Sequence, residues 1–217
     1  MRTVEDRLRE EYFDLLPNIR RTTEELEAEV RYLLIGTTRN LEKHEKLVVR
    51  SRVKDCESAI DSLRRRQESW DLDPSNPGKY SLKRLNDLAG VRVLAFPYAR
   101  LIEVDRLLRA RFPDWTSDPV PPVSGTRHSL AFKYHGYCVG RSDVRGEVQA
   151  ISMLVGLFWE VEHAALYKPA RHLAGIGLSH RMRDTNADVI RALHAFDAQF
   201  EELTSFERTE SAQLAAH

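Results

Sequence analysis

The chain has 217 residues, of which 42% are hydrophobic and 30% charged, so it can bury one good core, at most with a helical appendage. Its 33 basic and 33 acidic residues cancel, which excludes an overall positive field that would attract nucleic acid and leaves only local patches for such contacts. Two cysteines without CxxC spacing, a charged N-terminal segment and no apolar run of ~18 residues argue against a disulfide framework, a secretion signal and a membrane span, so we expect a soluble cytoplasmic protein.

The first part of the chain, residues 1–46, predicts N-terminal helices, because apolar residues recur there at helical intervals. Pro17 predicts a break between two helices. Leu47 to Val53 alternates β-branched and basic residues, which is typical of a strand with one solvated face, and Asp55 to Gln67 returns to helical spacing. The segment from Asp71 to Lys79 has the composition of an exposed loop.

The middle of the chain predicts a buried strand with a helix to cover it. The strand runs from Val91 to Phe96, after a short helix that ends near Leu88, and Pro97 stops it. Tyr98 to Phe112 has one apolar face, as an amphipathic helix does. The proline-rich segment from Pro113 to Gly125 leaves room only for a short edge strand.

The C-terminal part predicts a hairpin and two helices. Ser129 to Val139 and Gly146 to Ile151 read as the two strands of the hairpin. One helix extends from Ser152 to about Tyr167 and another from about Arg181 to Ser205, followed by a frayed tail. We therefore expect a single α+β domain with a mixed sheet of about five strands surrounded by helices, divided into residues 1–46, 47–168 and 169–217.

Two acidic residues lie where a rigid sheet would hold them. Asp87 precedes a buried strand and Glu147 lies within another, so their carboxylates would share a cleft if the strands are neighbours. Mg²⁺ takes one or two protein carboxylates and leaves its other positions to water and phosphates. Arg52 and Lys54 share one side of their strand, and Arg92 would bring a guanidinium close to Asp87. Taken singly, each is more often a solvated charge.

The order of these motifs resembles the RelA/SpoT synthetase domain. The resemblance covers roughly residues 47–168, and its specific elements are DLAGVRV and WEVEHAALYK. The matching segments are RVK at 52–54, Ser58, NDLAGVRVL at 86–94, GEVQ at 146–149 and FWEVEHAALYK at 158–168. The two preceding helices are similar to those of the small alarmone synthetases. The resemblance implies a nucleotidyltransferase-like synthetase fold.

The resemblance also implies an activity, that of an ATP:nucleotide 3′-pyrophosphotransferase of the stringent response. Enzymes of this family, the GTP diphosphokinase-like synthetases, move the β,γ-pyrophosphate of ATP onto the 3′-hydroxyl of a guanosine nucleotide and make the alarmone (p)ppGpp. It assigns the following roles: Mg²⁺ binding to Asp87 and Glu147, ATP binding to Arg52, Lys54 and Ser58, support of the phosphates or the metal-binding carboxylate to Arg92, and a place beside adenine to Arg100.

The acceptor side departs from the family pattern. Where the family has a strand similar to GYRSLHYVV, this chain has AFKYHGYCV, and alignment without a gap puts Phe132 in place of the base-stacking Tyr and Gly136 in place of the His. Tyr134, His135 or Tyr137 could substitute if the register slips, although a slip of one residue would turn each side chain to the other face of the sheet. The implied acceptor-binding residues are Phe132, Lys133, Tyr134 and His135.

Two further positions differ from the family, because Ser62 replaces a lysine on the ATP side and Ile151 replaces an arginine. Arg64, Arg65 or Arg66 are candidates to compensate for the lysine. We interpret Glu162, His163, Tyr167 and Lys168 as structural, since their spacing does not match a zinc site.

Three functions follow from the resemblance. The first is an alarmone synthetase acting on GDP, GTP or GMP. The second is a toxin, neutralised by an antitoxin protein, that pyrophosphorylates the tRNA 3′ end or makes adenosine alarmones; its tRNA would need a basic path along Arg64 to Arg66, Arg127, His128 and Lys133. The third is a degenerate, non-catalytic nucleotide-sensing module. A homo-oligomer is compatible with each, and the sequence shows no hydrolase motif.

Overall fold

The structure, a computed structural model, describes residues 3–66, 79–122, 129–138, 143–162 and 180–215, the side chains of 180–183 and 205–215 excepted. Its helices are α1 (Val4–Leu33), α2 (Ile35–Arg39), α3 (Cys56–Arg65), α4 (Tyr98–Arg111), α5 (Met153–Glu162) and α6 (His180–Ala215). Its strands are β1 (Lys46–Val53), β2 (Ala89–Phe96), β3 (Thr116–Val120), β4 (Ala131–Tyr137) and β5 (Arg145–Ser152). Within the described part of the chain, no helix combines the length and the apolar character that a membrane crossing requires.

The five strands form one mixed sheet in the order β1-β2-β5-β4-β3. β2 and β5 are parallel neighbours at its centre, and the other pairs are antiparallel. This confirms the α+β fold class, the hairpin of β4 and β5, and the short proline-containing edge strand.

One face of the sheet carries two neighbouring rows of mostly polar residues. Each row consists of residues that are paired across adjacent strands. We call the first the Arg52 row, which contains Arg52, Gly90, Glu147, His135 and Thr116. The second, the Arg50 row, contains Arg50, Arg92, Gln149, Lys133 and Asp118. Because side chains alternate with period two, both rows point to the same side, and we call this side the polar face.

The opposite side of the sheet, the core face, packs against α1 and α4. The residues that β2, β4 and β5 contribute to this face are apolar or aromatic and almost fully buried, namely Val91, Val93, Ala95, Phe132, Tyr134, Val148 and Ala150. Leu26 and Val30 of α1 and Leu101, Val104 and Leu108 of α4 complete this cluster. The N-terminal half of α1 packs elsewhere, on α3 and on the segment that leads into β2.

Pro17 does not separate two helices, contrary to the sequence prediction, because α1 continues through it to Leu33. Pro17 is exposed, so the backbone carbonyl that loses its partner can reach water. The buried residues on either side, such as Leu15 and Ile19, hold both halves of the helix against the core. The observed break comes after Leu33, where the short helix α2 begins.

Helix α5 folds back over the polar face and covers a third row of residues beside the Arg50 row. Leu94, Ala131 and Ile151 of the sheet pack there against Met153 and Trp159. The approach is close at Gly156, where an added Cβ would lie 2.5 Å from Cδ2 of Leu94. The polar face is therefore open only over the Arg52 and Arg50 rows, with α5 as a wall at one end.

Helix α6 supplies the N-terminal cap of α4, which has no side-chain cap of its own at Pro97. The buried carboxylate of Asp197 accepts hydrogen bonds from the Tyr98 N–H, at 2.8 Å, and from the Ser152 hydroxyl, at 3.1 Å. Glu201 accepts from the Ala99 N–H. Because a helix N-terminus carries partial positive charge, two carboxylates there anchor α6 to the sheet.

Two further helix boundaries differ from the prediction. The helix expected to end near Leu88 is only a 3-10 turn, Leu82–Arg84, and α6 is helical to Ala215, where we had predicted a frayed tail. The predicted loop after Asp71 and the end of the helix toward Tyr167 fall on residues 67–78 and 163–179, outside the described parts of the chain.

Candidate active site

The two acidic residues meet at one edge of the polar face. β2 and β5 are parallel, with Gly90 opposite Glu147, and Asp87 lies just before β2. The N-terminal ends of both strands therefore lie side by side. Burial, and then the charge of Asp87, raises the pKa of Glu147, and the second cause is expected for two carboxylates that share one cleft.

Basic side chains from the end of β1 contact Asp87. The ammonium of Lys54 donates a hydrogen bond to Oδ2 of Asp87, and a guanidinium nitrogen of Arg52 lies 3.8 Å from the same oxygen. Lys54 is mostly buried, and burial lowers its pKa, while Asp87 opposes that shift. Arg52 crosses β2 over Gly90, where an added Cβ would lie 3.3 Å from Cγ of Arg52. The missing side chain at Gly90 thus gives Arg52 its path to Asp87.

Glu147 belongs to a hydrogen-bonded chain along the polar face. Burial is the main cause of its raised pKa, and the nearby Lys133 and Arg52 oppose the shift. Its Oε1 accepts a hydrogen bond from Nε2 of Gln149, at 2.5 Å. The amide oxygen of Gln149 in turn accepts from Arg92, at 3.3 Å. Because Arg92 can only donate, the amide nitrogen of Gln149 points to Glu147 and holds that carboxylate in place.

The residues predicted to bind the acceptor are divided between the two faces of the sheet. Lys133 and His135 lie on the polar face, and His135 is directly opposite Glu147. Phe132 and Tyr134 lie on the core face, where Phe132 is packed under the helices and the Tyr134 hydroxyl donates to the buried Asp105. The structure therefore does not bring Phe132 and Tyr134 into the cleft, because alternation along β4 turns them away from it.

Gly136, which the ungapped alignment puts in place of a histidine, also faces the core. An added Cβ would lie 2.6 Å from the ring of Trp115, whose indole N–H donates to the Tyr137 carbonyl. The glycine is needed because the indole packs flat on the strand. No functional side chain could occupy this position without displacing Trp115.

Three other predicted residues take different positions. Arg100 is off the cleft, since it pairs at 2.6 Å with the buried Glu45 and with Glu103, close to the end of the sheet opposite Asp87. The structure therefore does not bring Arg100 to the cleft. Ser58 lies in the first turn of α3, where its backbone N–H donates to Asp55. Ile151 is buried under α5, so an arginine there would displace the helix.

Among the three arginines that could compensate for Ser62, Arg65 donates a hydrogen bond from its guanidinium to the Ser62 hydroxyl at 3.1 Å. Burial is the main cause of the lowered pKa of Lys54, and the charge of Arg65 adds to it. Arg64 instead pairs with Glu5 and Asp61, and Arg66 donates to a backbone carbonyl.

Sequence reasoning did not single out Arg50, Gln149 and Glu160 as individual members of this cleft. Period-two alternation from Arg52 and Glu147 could have found Arg50 and Gln149. Glu160 gave no such signal, because the sequence of α5 alone does not show which side of the helix packs on the sheet. His163, Tyr167 and Lys168 lie outside the described residues, while Glu162 accepts a hydrogen bond from Asn186 at 2.6 Å.

The site suits a cation bound by two carboxylates. Oδ1 of Asp87 is buried, and no described residue hydrogen-bonds to it. A buried carboxylate oxygen without a partner is costly, which fits a position for a metal ligand bond. Two carboxylates fit an ion such as Mg²⁺, which needs few protein ligands. Nowhere in the described ranges do three or more His, Cys, Asp or Glu residues form a metal-binding group.

Comparison with solved structures found likenesses over almost the whole chain. Small alarmone synthetase 1 from Bacillus subtilis, bound to its product pppGpp, is 18% identical with a TM-score of 0.65, and the match covers 92% of this chain and 99% of that one. The same enzyme bound to AMPCPP is 18% identical with a TM-score of 0.62, over 90% and 97% of the two chains. A GTP pyrophosphokinase family protein from Streptococcus pneumoniae is 20% identical with a TM-score of 0.66, over 94% and 97%.

The chain has the fold of the small alarmone synthetases. The sequence resemblance predicted this fold, and the structural comparison confirms it. No protein-family model matches the sequence, and no curated protein does. At such low identity the likeness establishes the synthetase fold, while the activity depends on the residues of the cleft.

Proposed function

We propose that the chain is a pyrophosphokinase that transfers the β,γ-pyrophosphate of ATP to the 3′-hydroxyl of a guanosine nucleotide, which yields (p)ppGpp-type alarmones. The observation that carries the proposal is the pairing of Asp87 and Glu147 at one edge of two parallel strands, with Arg52 and Lys54 beside them. Acidic metal ligands next to basic phosphate ligands are the usual equipment for transfer of phosphoryl groups.

In this reaction the 3′-hydroxyl oxygen forms a bond to the β-phosphorus and loses its proton to water. The bond from that phosphorus to the oxygen that bridges it to the α-phosphorus breaks, and AMP leaves. Mg²⁺, bound by Asp87 and Glu147, would supply charge neutralisation at the phosphates. Arg52 and Lys54 would hold the donor phosphates from the β1 side, and Arg92 would add a guanidinium from β2. Glu147 would accept a hydrogen bond from the 3′-hydroxyl and orient it for attack.

The acceptor would approach from the β4 side of Glu147. Donor ligands lie on β1 and β2, so the other side of the Arg52 and Arg50 rows is available for the second substrate. His135 and Lys133 are the side chains there that can donate hydrogen bonds to an acceptor nucleotide. Their position supports a nucleotide acceptor, since a nucleotide carries both phosphate and hydroxyl groups for them to bind.

The toxin and the non-catalytic alternatives have no observation that favours them. Arg64, the first residue of the basic path that a tRNA would need, is already paired with Glu5 and Asp61, and Arg127 and His128 lie outside the described residues. The presence of both carboxylates and of the basic side chains at the cleft opposes a non-catalytic nucleotide-sensing module. An antitoxin partner, a homo-oligomer and the cytoplasmic location stay predictions.

The test is an acceptor screen with ATP labelled on its γ-phosphate. The protein, with Mg²⁺, is offered GMP, GDP, GTP, the adenosine nucleotides and deacylated tRNA in separate reactions. We expect label in a guanosine product and release of AMP. Label in tRNA or in an adenosine product would replace the proposed acceptor. A chain that binds AMPCPP yet labels nothing would contradict the proposed transfer.

A further inference from the structure

Two arginines on the polar face share one carboxylate from helix α5. Arg50 and Arg92 lie opposite each other on the antiparallel strands β1 and β2. The Arg50 guanidinium donates to both oxygens of Glu160, at 2.9 and 3.2 Å, and the Arg92 guanidinium donates to Oε1 of Glu160 at 3.3 Å. Like charges directly opposite each other on a sheet repel, so these two guanidiniums need an anion between them.

The geometry of α5 explains how Glu160 reaches that place. Gly156 lets the helix approach Leu94, and a residue four positions later lies on the same side of a helix. That residue is Glu160, at the end of the open part of the polar face. Its side chain is 35% exposed and that of Arg50 is 52% exposed, so the ion pair lies at the mouth of the cleft rather than in the core.

The carboxylate of Glu160 can occupy a site that would otherwise bind phosphate. A guanidinium binds carboxylate and phosphate oxygens with the same donor geometry, so one anion can replace the other. The pair is in partial contact with water, and exposed ion pairs contribute little to stability. A polyanion that also contacts Arg52 and Lys54 would gain more from the arginines than Glu160 does, because it is multiply charged.

We propose that Arg50 and Arg92 form an anion subsite for phosphate groups, which Glu160 occupies until a polyphosphate ligand displaces it. Arg50 is thereby a further phosphate-binding residue, and Glu160 is an internal competitor. The inference deepens the proposed function, in which the ligand is the triphosphate of ATP, but the subsite itself requires only a polyphosphate. It can be tested without the transfer reaction.

The experiment compares the full-length chain with its Glu160→Gln variant. Binding of inorganic tripolyphosphate, and separately of AMPCPP with Mg²⁺, is measured by calorimetry at one fixed ionic strength. The substitution keeps the size of the side chain and removes its charge. We expect Glu160→Gln to bind tripolyphosphate about threefold to tenfold more tightly, which corresponds to the loss of a partly exposed competing ion pair.

Two controls separate competition from a general effect of charge. Glu27→Gln also removes one negative charge beside β1, but Glu27 pairs with Arg31 and Ser51, away from Arg50, so its affinity should match that of the wild type. Adding Arg50→Gln to Glu160→Gln should abolish the gain in affinity.

Equal or weaker binding by Glu160→Gln would overturn the proposal, because Glu160 would then be a structural counter-ion or a positioning residue. Absence of tripolyphosphate binding by all variants would overturn it too, whereas tripolyphosphate binding without AMPCPP binding would count only against the proposed function.

Discussion

The two faces of the sheet follow opposite rules. On the core face, apolar side chains are buried under α1 and α4, and the buried hydroxyl of Tyr134 donates a hydrogen bond to Asp105. On the polar face, Arg50 faces Arg92, and Asp87 has a buried oxygen with no described partner. Folding alone would not favour such arrangements, which are typical of sites that bind ligands. Over the Arg52 and Arg50 rows, side-chain parity along each strand therefore separates the residues that stabilise the fold from those of the candidate site.

The largest effect is expected for Asp87→Asn, on the polar face. The change keeps the shape of the side chain but removes the charge of the proposed metal ligand, which is also the partner of Lys54. We expect transfer of label from ATP to fall by about 10²- to 10³-fold, as for loss of one strong electrostatic contact in a transition state. The measurement is the initial rate with the preferred acceptor, with circular dichroism as the check on folding.

Asp118→Asn is the matched control for that variant. Asp118 is exposed on the edge strand β3, on the same polar face but opposite Lys133 rather than beside Glu147. Its rate should stay close to that of the wild type. A similar loss of rate in both variants would mean that net charge on the face, rather than a ligand at Asp87, determines activity.

Gly136→Ala should break the core face and leave the polar face intact. The added methyl group would lie far too close to the Trp115 ring, so we expect the free energy of unfolding to fall by about 1–3 kcal/mol. Urea denaturation measures this change. In contrast, Gly36→Ala, in α2, meets no heavy atom within 4 Å and should stabilise the chain by about 0.5–1 kcal/mol. An unchanged midpoint for Gly136→Ala would show that Trp115 does not pack on β4.

Glu147→Gln should stabilise the metal-free protein at neutral pH by about 1 kcal/mol, the usual size of a point effect. Burial, and then the charge of Asp87, raises the pKa of Glu147 above its ordinary value of 4.5, so folding favours the protonated form. The penalty is therefore full above the folded pKa and disappears as pH falls below 4.5. Thermal melts across that pH range measure it. A difference that grew toward low pH would have the wrong sign.

The smallest effect on nucleotide binding is expected for Arg100→Gln. Arg100 pairs with Glu45 and Glu103 away from the cleft, so affinity for AMPCPP should be unchanged. Stability should fall by about 1 kcal/mol, because Glu45 is buried and would lose a charged partner. Calorimetric binding and a urea titration on the same sample test both statements. Clearly weaker binding of AMPCPP by the variant would show that Arg100 contributes to the nucleotide site.

The sequence was sufficient to predict the strands and the hairpin, because the strands alternate and the hairpin is local. Tertiary packing overruled the local signal at Pro17, where buried neighbours hold one helix through a residue that usually ends one. The carboxylates were found by motif, and the parallel pairing of β2 and β5 then brings them to one edge. Local pattern alone could not have supplied that pairing, since it joins segments far apart in the chain.

The acceptor strand shows where the predicted site and the structure diverge. A shift of a single position inverts the face of every residue in a strand, and of the four residues assigned to the acceptor only Lys133 and His135 lie on the polar face. Arg100 lies away from the cleft for another reason, since its place depends on how α4 packs on the core. The division of the chain into three segments remains a prediction, as do the roles of the site residues, which the experiments above address.

Gly90 has an evolutionary consequence. It lies between Arg52 and Glu147 on one row and carries no side chain, yet Arg52 crosses the strand directly above it. In a library with every substitution at each position, selected for activity, Gly90 should tolerate fewer replacements than the charged residues around the rim of the cleft. Any larger residue at position 90 would occupy the space through which Arg52 crosses the strand. We therefore expect selection to keep glycine at this position.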